Sequence, residues 1–361
     1  MWSTLLIPCI LVGSISVFKF IRLYETSEKH QQTLISLAYS RFDDFSEYGA
    51  DEMKKKVRLL CWVMTSPKNH NLKAIHVKNT WGKRCNILVF MTTKPDPNLP
   101  YIILPVKDGR GQLWKTSQEA LKYIYNHYLD SFDWILKADD DTLFFPENAR
   151  YLLSRYDPKE PLWMGCKMKM LHTPVFLSGG AGYIFSKQAV KIFVEEAIKD
   201  NTYCYPEIND WADDLQIGKC FEKLQVKLID TRDENALHRF LPLSPFFHLK
   251  PLENEEDRKS WWWSAAYYKD ETYFGGDCCS NTTISFHYVS PEDQYLFYNV
   301  FYNIRPYGKQ SLDNSESPPK PPPDETLTEL QFLNKEARRS RLQSDINFIR
   351  NIFKKHKYDG Q

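Results

Sequence analysis

FDWILKADDDT, residues 132–142, joins an apolar run to three consecutive aspartates. The run at residues 132–138 predicts a buried strand, so Asp139, Asp140 and Asp141 fall at its C-terminal end, the edge of an open α/β sheet where ligands bind. Adjacent carboxylates repel one another unless a cation or strong hydrogen-bond donors compensate them, and hard oxygen ligands suit Mg²⁺, Mn²⁺ or Ca²⁺. An acidic solvated turn is the alternative interpretation, and the spacing excludes an EF-hand loop.

Strand-like and helix-like segments alternate around this stretch. The predicted strands, all short and apolar, cover residues 57–64, 86–91, 102–106, 132–138 and 183–185. The predicted helices cover residues 113–128, 187–198 and 210–224, and Ser186 is expected to cap the second. This alternation predicts an α/β fold built on a mostly parallel sheet.

Other residues can complete a site around the aspartates. Lys137 would place positive charge near phosphate groups, and His287, in the strand-like SFHYV at residues 285–289, is a candidate further metal ligand or else a packed core residue. Asp213 and Asp214 begin a predicted helix. One of them can act as the base that deprotonates an acceptor hydroxyl, or both can simply complement the helix dipole.

Three consecutive tryptophans at residues 261–263 are an unusual feature. A strand would direct them to opposite faces, so they cannot all enter one core. They can form an aromatic platform for a sugar ring, or they can pack over the glycine-rich segment at Gly275 and Gly276.

The cysteine pattern and the net charge limit the class of protein to which the chain can belong. The formal net charge of +1 gives no indication of a nucleic-acid surface. Eight cysteines without a CxxC pair make a zinc site improbable and favour disulfides, which fit a secreted or lumenal chain. We expect Cys61–Cys85 and Cys204–Cys220 bridges, and a vicinal bridge or separate partners for Cys278 and Cys279. Cys166 is expected to be free or to form an intermolecular bridge.

The two ends of the chain differ in composition from the middle. Residues 1–23 are predicted to be a signal anchor, with a cleaved signal peptide as the alternative, and the polar residues 24–55 are predicted to be a stem. Residues 309–361 contain a proline-rich linker and a basic amphipathic tail. That tail is either a solvated or lightly docked helix or one that binds a partner or a membrane surface. The catalytic domain is therefore expected at residues 56–308.

Several stretches together resemble the β-1,3-glycosyltransferase family that includes Fringe, and within it the core 1 β-1,3-galactosyltransferases. They are CWVMTSP at 61–67, HVKNTWGKRCN at 76–86, WILKADDDT at 134–142, FLSGGAGYIFSK at 176–187, DDLQIGKC at 213–220, CCSNTTISFHYV at 278–289 and RPYG at 305–308. The resemblance implies a GT-A type glycosyltransferase fold, with a Rossmann-like nucleotide-binding half and an acceptor-binding half.

The resemblance also assigns roles to residues. Asp139, Asp141 and His287 fall on the metal site, where Mn²⁺ is expected, and Asp214 falls on the catalytic base. The residues expected to bind the donor are Thr65, Arg84, Lys137, Asp139, Asp140 and Asp141. The residues expected to bind the acceptor are Trp261, Trp263 and Tyr288.

The resemblance implies inverting transfer of galactose from UDP-galactose to the 3-hydroxyl of O-linked GalNAc on glycoproteins. It further implies a single-pass type II protein of the Golgi membrane with a lumenal catalytic domain, and a homodimer. The alternatives are another UDP-sugar or acceptor, and a non-catalytic, chaperone-like paralogue. Retention of the three aspartates, His287 and Asp214 argues against the paralogue, whereas Ala265 and Ala266 replace aromatics expected in the family and leave the acceptor preference open.

Overall fold

The computed structural model describes residues 48–200, 202–204, 212–250, 261–269, 273–275 and 278–304. The strands in these parts of the chain are β1 (Leu59–Met64), β2 (Ile87–Thr92), β3 (Tyr101–Ile103), β4 (Trp134–Asp139), β5 (Leu143–Phe144), β6 (Leu162–Gly165), β7 (Lys167–Met168), β8 (Phe176–Leu177), β9 (Tyr183–Ser186), β10 (Lys227–Ile229), β11 (Phe240–Leu241) and β12 (Ser285–Phe286).

The α-helices are α1 (Tyr48–Lys56), α2 (Ile75–Asn79), α3 (Leu113–Tyr128), α4 (Pro146–Leu153), α5 (Lys187–Ile192), α6 (Asp213–Lys223), α7 (Pro245–His248), α8 (Trp261–Ala265) and α9 (Pro291–Tyr298). Short 3-10 helices cover Pro67–Asn69, Trp81–Arg84 and Arg110–Gln112, and π-helical turns cover His70–Ala74, Phe193–Ala197 and Asn299–Asn303.

A seven-stranded sheet forms the centre of the fold, in the order β10-β6-β9-β4-β1-β2-β3. Its neighbours pair in parallel except that β9 runs antiparallel to both β4 and β6. Every residue of β1 is buried, as expected where helices cover both faces of a parallel sheet. The predicted α/β fold class is therefore confirmed, and the architecture is that expected of a GT-A type fold.

The strands predicted from apolar runs are present, with shifted ends. β1 begins at Leu59, two residues after the predicted start, and β4 extends to Asp139. The predicted strand at 102–106 is instead β3, which ends at Ile103. A strand through Pro105 is disfavoured because proline has no N–H for the sheet.

The predicted helices are also present. In α3 the buried side chains include Ser117, Leu121 and Ile124, which share one face at helical spacing. Ser186 caps α5, because its hydroxyl oxygen accepts a hydrogen bond from the Ala189 N–H at 3.1 Å. The predicted helix 187–198 is α-helical only to residue 192 and continues as a π-helical turn.

A small three-stranded sheet, β11-β12-β5, brings distant segments to the end of β4. β12 pairs antiparallel with β5, placing Phe286 opposite Leu143, and the Val289 N–H donates to the Asp141 carbonyl at 2.9 Å. This pairing draws His287 up to the aspartates that precede β5.

The disulfide predictions are confirmed within the described residues. Bridges join Cys61 to Cys85 and Cys204 to Cys220, and Cys278 and Cys279 form the vicinal bridge, one of the two alternatives. The thiol of Cys166 is buried and free. The first bridge ties β1 to the segment that leads into β2.

Both chain ends lie mainly outside the described residues. The proposed anchor at 1–23 and the linker and tail at 309–361 are among them, and of the stem only its last residues are described, within α1. Within the described chain, no helix combines the length and apolar character needed to span a bilayer.

Candidate active site

A cleft of about 440 Å³ opens where β1, β2 and β4 end. The aspartates follow from β4, Thr65 follows β1, and Asp213 and Asp214 begin α6. The remaining parts of its wall include the glycine turn at 178–180 and the residues that follow β12, His287 and Tyr288. The cleft therefore lies at the carboxyl edge of the parallel strands, as predicted.

Asp139, Asp141 and His287 form a cluster that can hold a metal ion. One ligand atom from each lies within 4.8 Å of the others, and Asp141 Oδ1 is 3.3 Å from His287 Nε2. Two carboxylates and an imidazole suit a divalent cation such as Mn²⁺.

Gly180 forms a cradle for the His287 ring. A Cβ on Gly180 would lie 1.9 Å from His287 Cε1, so only glycine allows the imidazole to occupy this position. Thr142 holds the glycine turn in place, because its hydroxyl donates to the Gly180 carbonyl at 2.8 Å. The residues present thus fit a divalent cation held by two aspartates and a positioned histidine.

Asp140 turns away from this cluster. Its Oδ2 accepts hydrogen bonds from the Thr65 hydroxyl at 2.8 Å and the Asn69 amide at 2.9 Å. Burial raises the pKa of Asp140 to about 6, and these two donors oppose the increase. Asp140 and Thr65 were both predicted to bind the donor. Both line the cleft, and Asp140 fixes the segment after β1.

Lys73, which sequence reasoning missed, faces the metal cluster. Its ammonium lies 2.8 Å from Asp141 Oδ2 and 3.8 Å from Asp140 Oδ1. Burial alone would raise the pKa of Asp141, but His287 and Lys73 hold that pKa well below its usual range. Lys73 belongs to no motif or periodic pattern, so no sequence signal identified it.

Lys137 lies among carboxylates. Its side chain is 2% exposed, and its ammonium is 2.6 Å from Asp139 Oδ1 and 4.0 Å from Asp213 Oδ2. Burial acts to lower the pKa of Lys137, but Asp139 and Asp213 keep it above its ordinary value. Lys137 was predicted to supply charge to phosphates. It lines the cleft, and in the structure its ammonium is a buried counter-ion to Asp139 and Asp213.

Asp213 and Asp214 both line the cleft, but different groups donate hydrogen bonds to their carboxylates. Asp213 Oδ2 accepts a hydrogen bond from the buried Ser117 hydroxyl at 2.6 Å. Asp214 lines the cleft, and its carboxylate accepts hydrogen bonds from the Gly179 N–H at 2.9 Å and the Leu215 N–H at 2.8 Å. Burial, followed by the negative charge of Asp213, raises the pKa of Asp214 to about 6. Such a carboxylate is ionised at neutral pH and is poised to accept a proton.

Arg84, which was predicted to bind the donor, is not among the described residues that line the cleft. Its guanidinium pairs with Glu147 at 2.9 Å and lies 3.6 Å from the centre of the Tyr302 ring. The Tyr302 hydroxyl in turn donates to Glu147 at 2.7 Å. Through Glu147 and Tyr302, Arg84 therefore links the last described residues to the α/β core.

The tryptophan run lies in the short helix α8 and not in a strand. Trp262 is buried, and Trp263 packs against Phe274 with ring centres 5.6 Å apart. Trp263 thus matches the packing alternative, beside the segment that ends at Gly275, and it is not among the described cleft residues. The side chain of Trp261 lies outside the described residues.

Tyr288 is the predicted acceptor residue that does reach the cleft. It is 53% exposed, and its ring stacks on His287 with centres 3.7 Å apart. Three basic residues that sequence reasoning did not identify, Lys68, Lys107 and Arg110, line the same cleft. Isolated basic residues in polar loops carry no distinguishing pattern, so only the fold reveals that they converge.

The chain is similar in sequence to known proteins. The Fringe-like family model matches residues 55–290, which contain every described residue that lines the cleft. The glycoprotein-N-acetylgalactosamine 3-beta-galactosyltransferase 1 of Xenopus laevis is 37% identical over 266 residues, covering 72% of this chain and 71% of that protein. The beta-1,3-glucosyltransferase of Mus musculus is 28% identical over 208 residues, covering 56% of this chain and 38% of that protein.

A more distant relative is the human chondroitin sulfate synthase 3, which is 27% identical over 179 residues, covering 45% of this chain and 20% of that protein. The family match covers more than half of the chain, and it includes the aspartates, Asp214 and His287. The chain therefore belongs to the Fringe-like family and is a glycosyltransferase.

Proposed function

We propose that the protein transfers galactose from UDP-galactose to the 3-hydroxyl of O-linked GalNAc on glycoproteins, with inversion and with Mn²⁺. The observation that carries this proposal is one cleft with two chemical parts. The cluster of Asp139, Asp141 and His287 is one part, and the Asp214 carboxylate, whose pKa is raised to about 6, is the other. The Xenopus laevis relative, named for galactosyl transfer to glycoprotein N-acetylgalactosamine, supports this choice of sugars.

The donor half binds the leaving group. Asp139, Asp141 and His287 would hold Mn²⁺, which when bound acts as a Lewis acid on the diphosphate. Lys68, Lys107 and Arg110 border the same cleft and supply positive charge to the phosphates. Thr65, whose hydroxyl donates to Asp140, lines the cleft directly after β1 and would contact the nucleotide there.

The acceptor half activates the sugar hydroxyl. Inversion in one displacement needs a base on the side of the sugar ring opposite the leaving diphosphate. Asp214 takes the proton of the 3-hydroxyl, while the Gly179 and Leu215 N–H groups hold its carboxylate in one orientation. Tyr288 presents an exposed aromatic ring at the cleft against which an acceptor sugar can pack.

The cellular setting follows from the same proposal. We place the chain in the Golgi membrane as a single-pass type II protein with residues 1–23 as anchor, 24–55 as stem and 56–308 as the lumenal catalytic domain. The three disulfides support an oxidising compartment. The tail at 309–361 and a homodimer remain predictions.

A panel of donors tests the proposal. The purified full chain is incubated with Mn²⁺, a GalNAc-bearing peptide and, in turn, UDP-galactose, UDP-glucose, UDP-GlcNAc and UDP-GalNAc. We expect transfer from UDP-galactose to dominate and to stop when EDTA removes the metal. Dominant transfer from another sugar would replace the proposed donor. If no sugar is transferred and no metal-dependent UDP binding is detected by calorimetry, a non-catalytic, chaperone-like role is favoured instead.

A further inference from the structure

Lys73 is the cleft residue whose position the proposed function does not explain. It lies on the π-helical turn His70–Ala74, an irregular element that often marks functional sites. Its ammonium lies 2.8 Å from Asp141 Oδ2, while Asp141 Oδ1 faces His287 at 3.3 Å. One carboxylate is therefore shared between a lysine and the cluster that would bind a cation.

The two lysines beside the aspartates differ in how freely their side chains can move. The side chain of Lys137 is 2% exposed, and its ammonium is enclosed between Asp139 and Asp213. The side chain of Lys73 is 35% exposed and borders the open cleft. Because the lysine stem has several rotatable bonds, Lys73 can leave Asp141 without disturbing the core.

We propose that Lys73 and the divalent cation compete for the Asp141 carboxylate, and that Lys73, once displaced, binds the diphosphate of the nucleotide-sugar. This inference rests on the proposed function, because it needs a metal at Asp139, Asp141 and His287. Two positive charges on one carboxylate repel each other, so the lysine weakens metal binding when no nucleotide is present. The incoming diphosphate offers Lys73 a new anionic partner and relieves that repulsion.

If this competition exists, removing the Lys73 charge should change Mn²⁺ affinity and UDP affinity in opposite directions. Without the Lys73 charge, Mn²⁺ binds more tightly to the nucleotide-free protein, by roughly three- to tenfold for charges a few ångströms apart in a solvated cleft. UDP binds the Mn²⁺-loaded protein more weakly, by about tenfold, because one charge-assisted hydrogen bond to phosphate is lost. The gain in UDP affinity that bound Mn²⁺ produces is therefore smaller in the protein without the Lys73 charge. A residue that merely supported the fold would weaken both affinities.

Lys73→Met in the full chain is the test, because it keeps the apolar stem and removes the ammonium. Mn²⁺ is titrated into nucleotide-free protein and followed by the electron paramagnetic resonance signal of free Mn²⁺, and UDP affinity is measured by calorimetry at saturating Mn²⁺. Lys73→Arg, which keeps the charge, should resemble wild type. Lys68→Ala is the control. Lys68 is exposed and lines the same cleft, and among the described residues it has no ion pair to the three aspartates. Its loss should therefore change Mn²⁺ affinity less than Lys73→Met does.

The outcomes separate this inference from the proposed function. Tighter Mn²⁺ binding together with weaker UDP binding in Lys73→Met supports the competition. If wild type binds Mn²⁺ and Lys73→Met binds it no more tightly, the competition is overturned while the metal site stands. If wild type takes up no Mn²⁺ with or without UDP, the metal site itself is wrong, and the inference is overturned with it.

Discussion

At the scale of single residues, the Asp214 carboxylate is expected to act in proton transfer and not in donor binding. Two backbone N–H groups orient it, and burial beside Asp213 gives it an affinity for protons that an exposed aspartate lacks. It has no place in the metal cluster. Substitution at Asp214 should therefore affect proton transfer more than donor binding.

Asp214→Asn tests this separation. We expect kcat to fall by about a thousandfold, within the usual contribution of a general base, while the Kd for UDP in the presence of Mn²⁺ changes little. Steady-state kinetics and calorimetry measure the two quantities. Glu222→Gln, an exposed acid on the same helix, is the matched control and should leave both unchanged. Loss of UDP binding in Asp214→Asn would show that the assigned role is wrong.

The pH dependence of activity follows from the same group. Asp214 acts in its ionised form, and its pKa is raised to about 6, so kcat/KM should rise with pH through about 6 and level off above it. If Asp214 had the ordinary pKa of an aspartate, kcat/KM would fall only at more acidic pH. A pH–rate profile that stays flat from pH 5 to 7 would contradict the assignment.

Gly180 is expected to control the position of the metal-binding histidine. In Gly180→Ala the new methyl group would overlap the His287 ring, so the imidazole must move. We expect Mn²⁺ affinity to fall by about ten- to a hundredfold, as for other groups that orient a metal ligand. Gly111→Ala is the control, because a Cβ there meets nothing within 4 Å. Unchanged Mn²⁺ binding in Gly180→Ala would remove His287 from the ligand set.

At the scale of elements, the network of Arg84, Glu147 and Tyr302 joins the turn Asn299–Asn303 to α4 and the 3-10 helix Trp81–Arg84. Arg84→Met leaves Glu147 without its guanidinium partner in a largely buried site. We expect the free energy of unfolding to fall by about 3 kcal/mol. Urea denaturation measures this loss, and the KM for the donor should stay unchanged. A large increase in that KM with unaltered stability would show that Arg84 acts in donor binding and not in this network.

Local pattern explains which elements could be predicted. The apolar run before Asp139 and the capping hydroxyl of Ser186 act over a few residues, so the sequence alone indicates β4 and α5. The alternation argument for the tryptophan run assumes a strand, whereas the run is helical and packs against Tyr273 and Phe274.

Contacts between distant segments explain what sequence pattern could not supply. His287 reaches Asp141 through pairing of two-residue strands, and Lys73 reaches it from a π-helical turn. Neither contact leaves a periodic signal. The resemblance to a family supplied His287, because that residue lies in a shared motif. It also predicts Arg84 at the nucleotide, and in the structure Arg84 forms an ion pair with Glu147.

At the scale of the whole molecule, one sheet edge assembles both halves of the site. β1 and β4 deliver Thr65 and the aspartates, α6 delivers Asp214, and the small sheet delivers His287 and Tyr288. Family membership and this geometry together make the chain a glycosyltransferase. The proposal that the two halves perform a single inverting displacement makes a claim about the configuration of the product.

That configuration is the most direct test. The full chain is incubated with Mn²⁺, UDP-galactose and a GalNAc-bearing peptide, and the product is examined by proton NMR for anomeric configuration and linkage position. We predict a β-linked galactose on the 3-hydroxyl of GalNAc, absent after EDTA treatment and reduced about a thousandfold in rate in Asp214→Asn. An α-linked product, or a β-linked product formed equally fast by Asp214→Asn, would contradict the central claim.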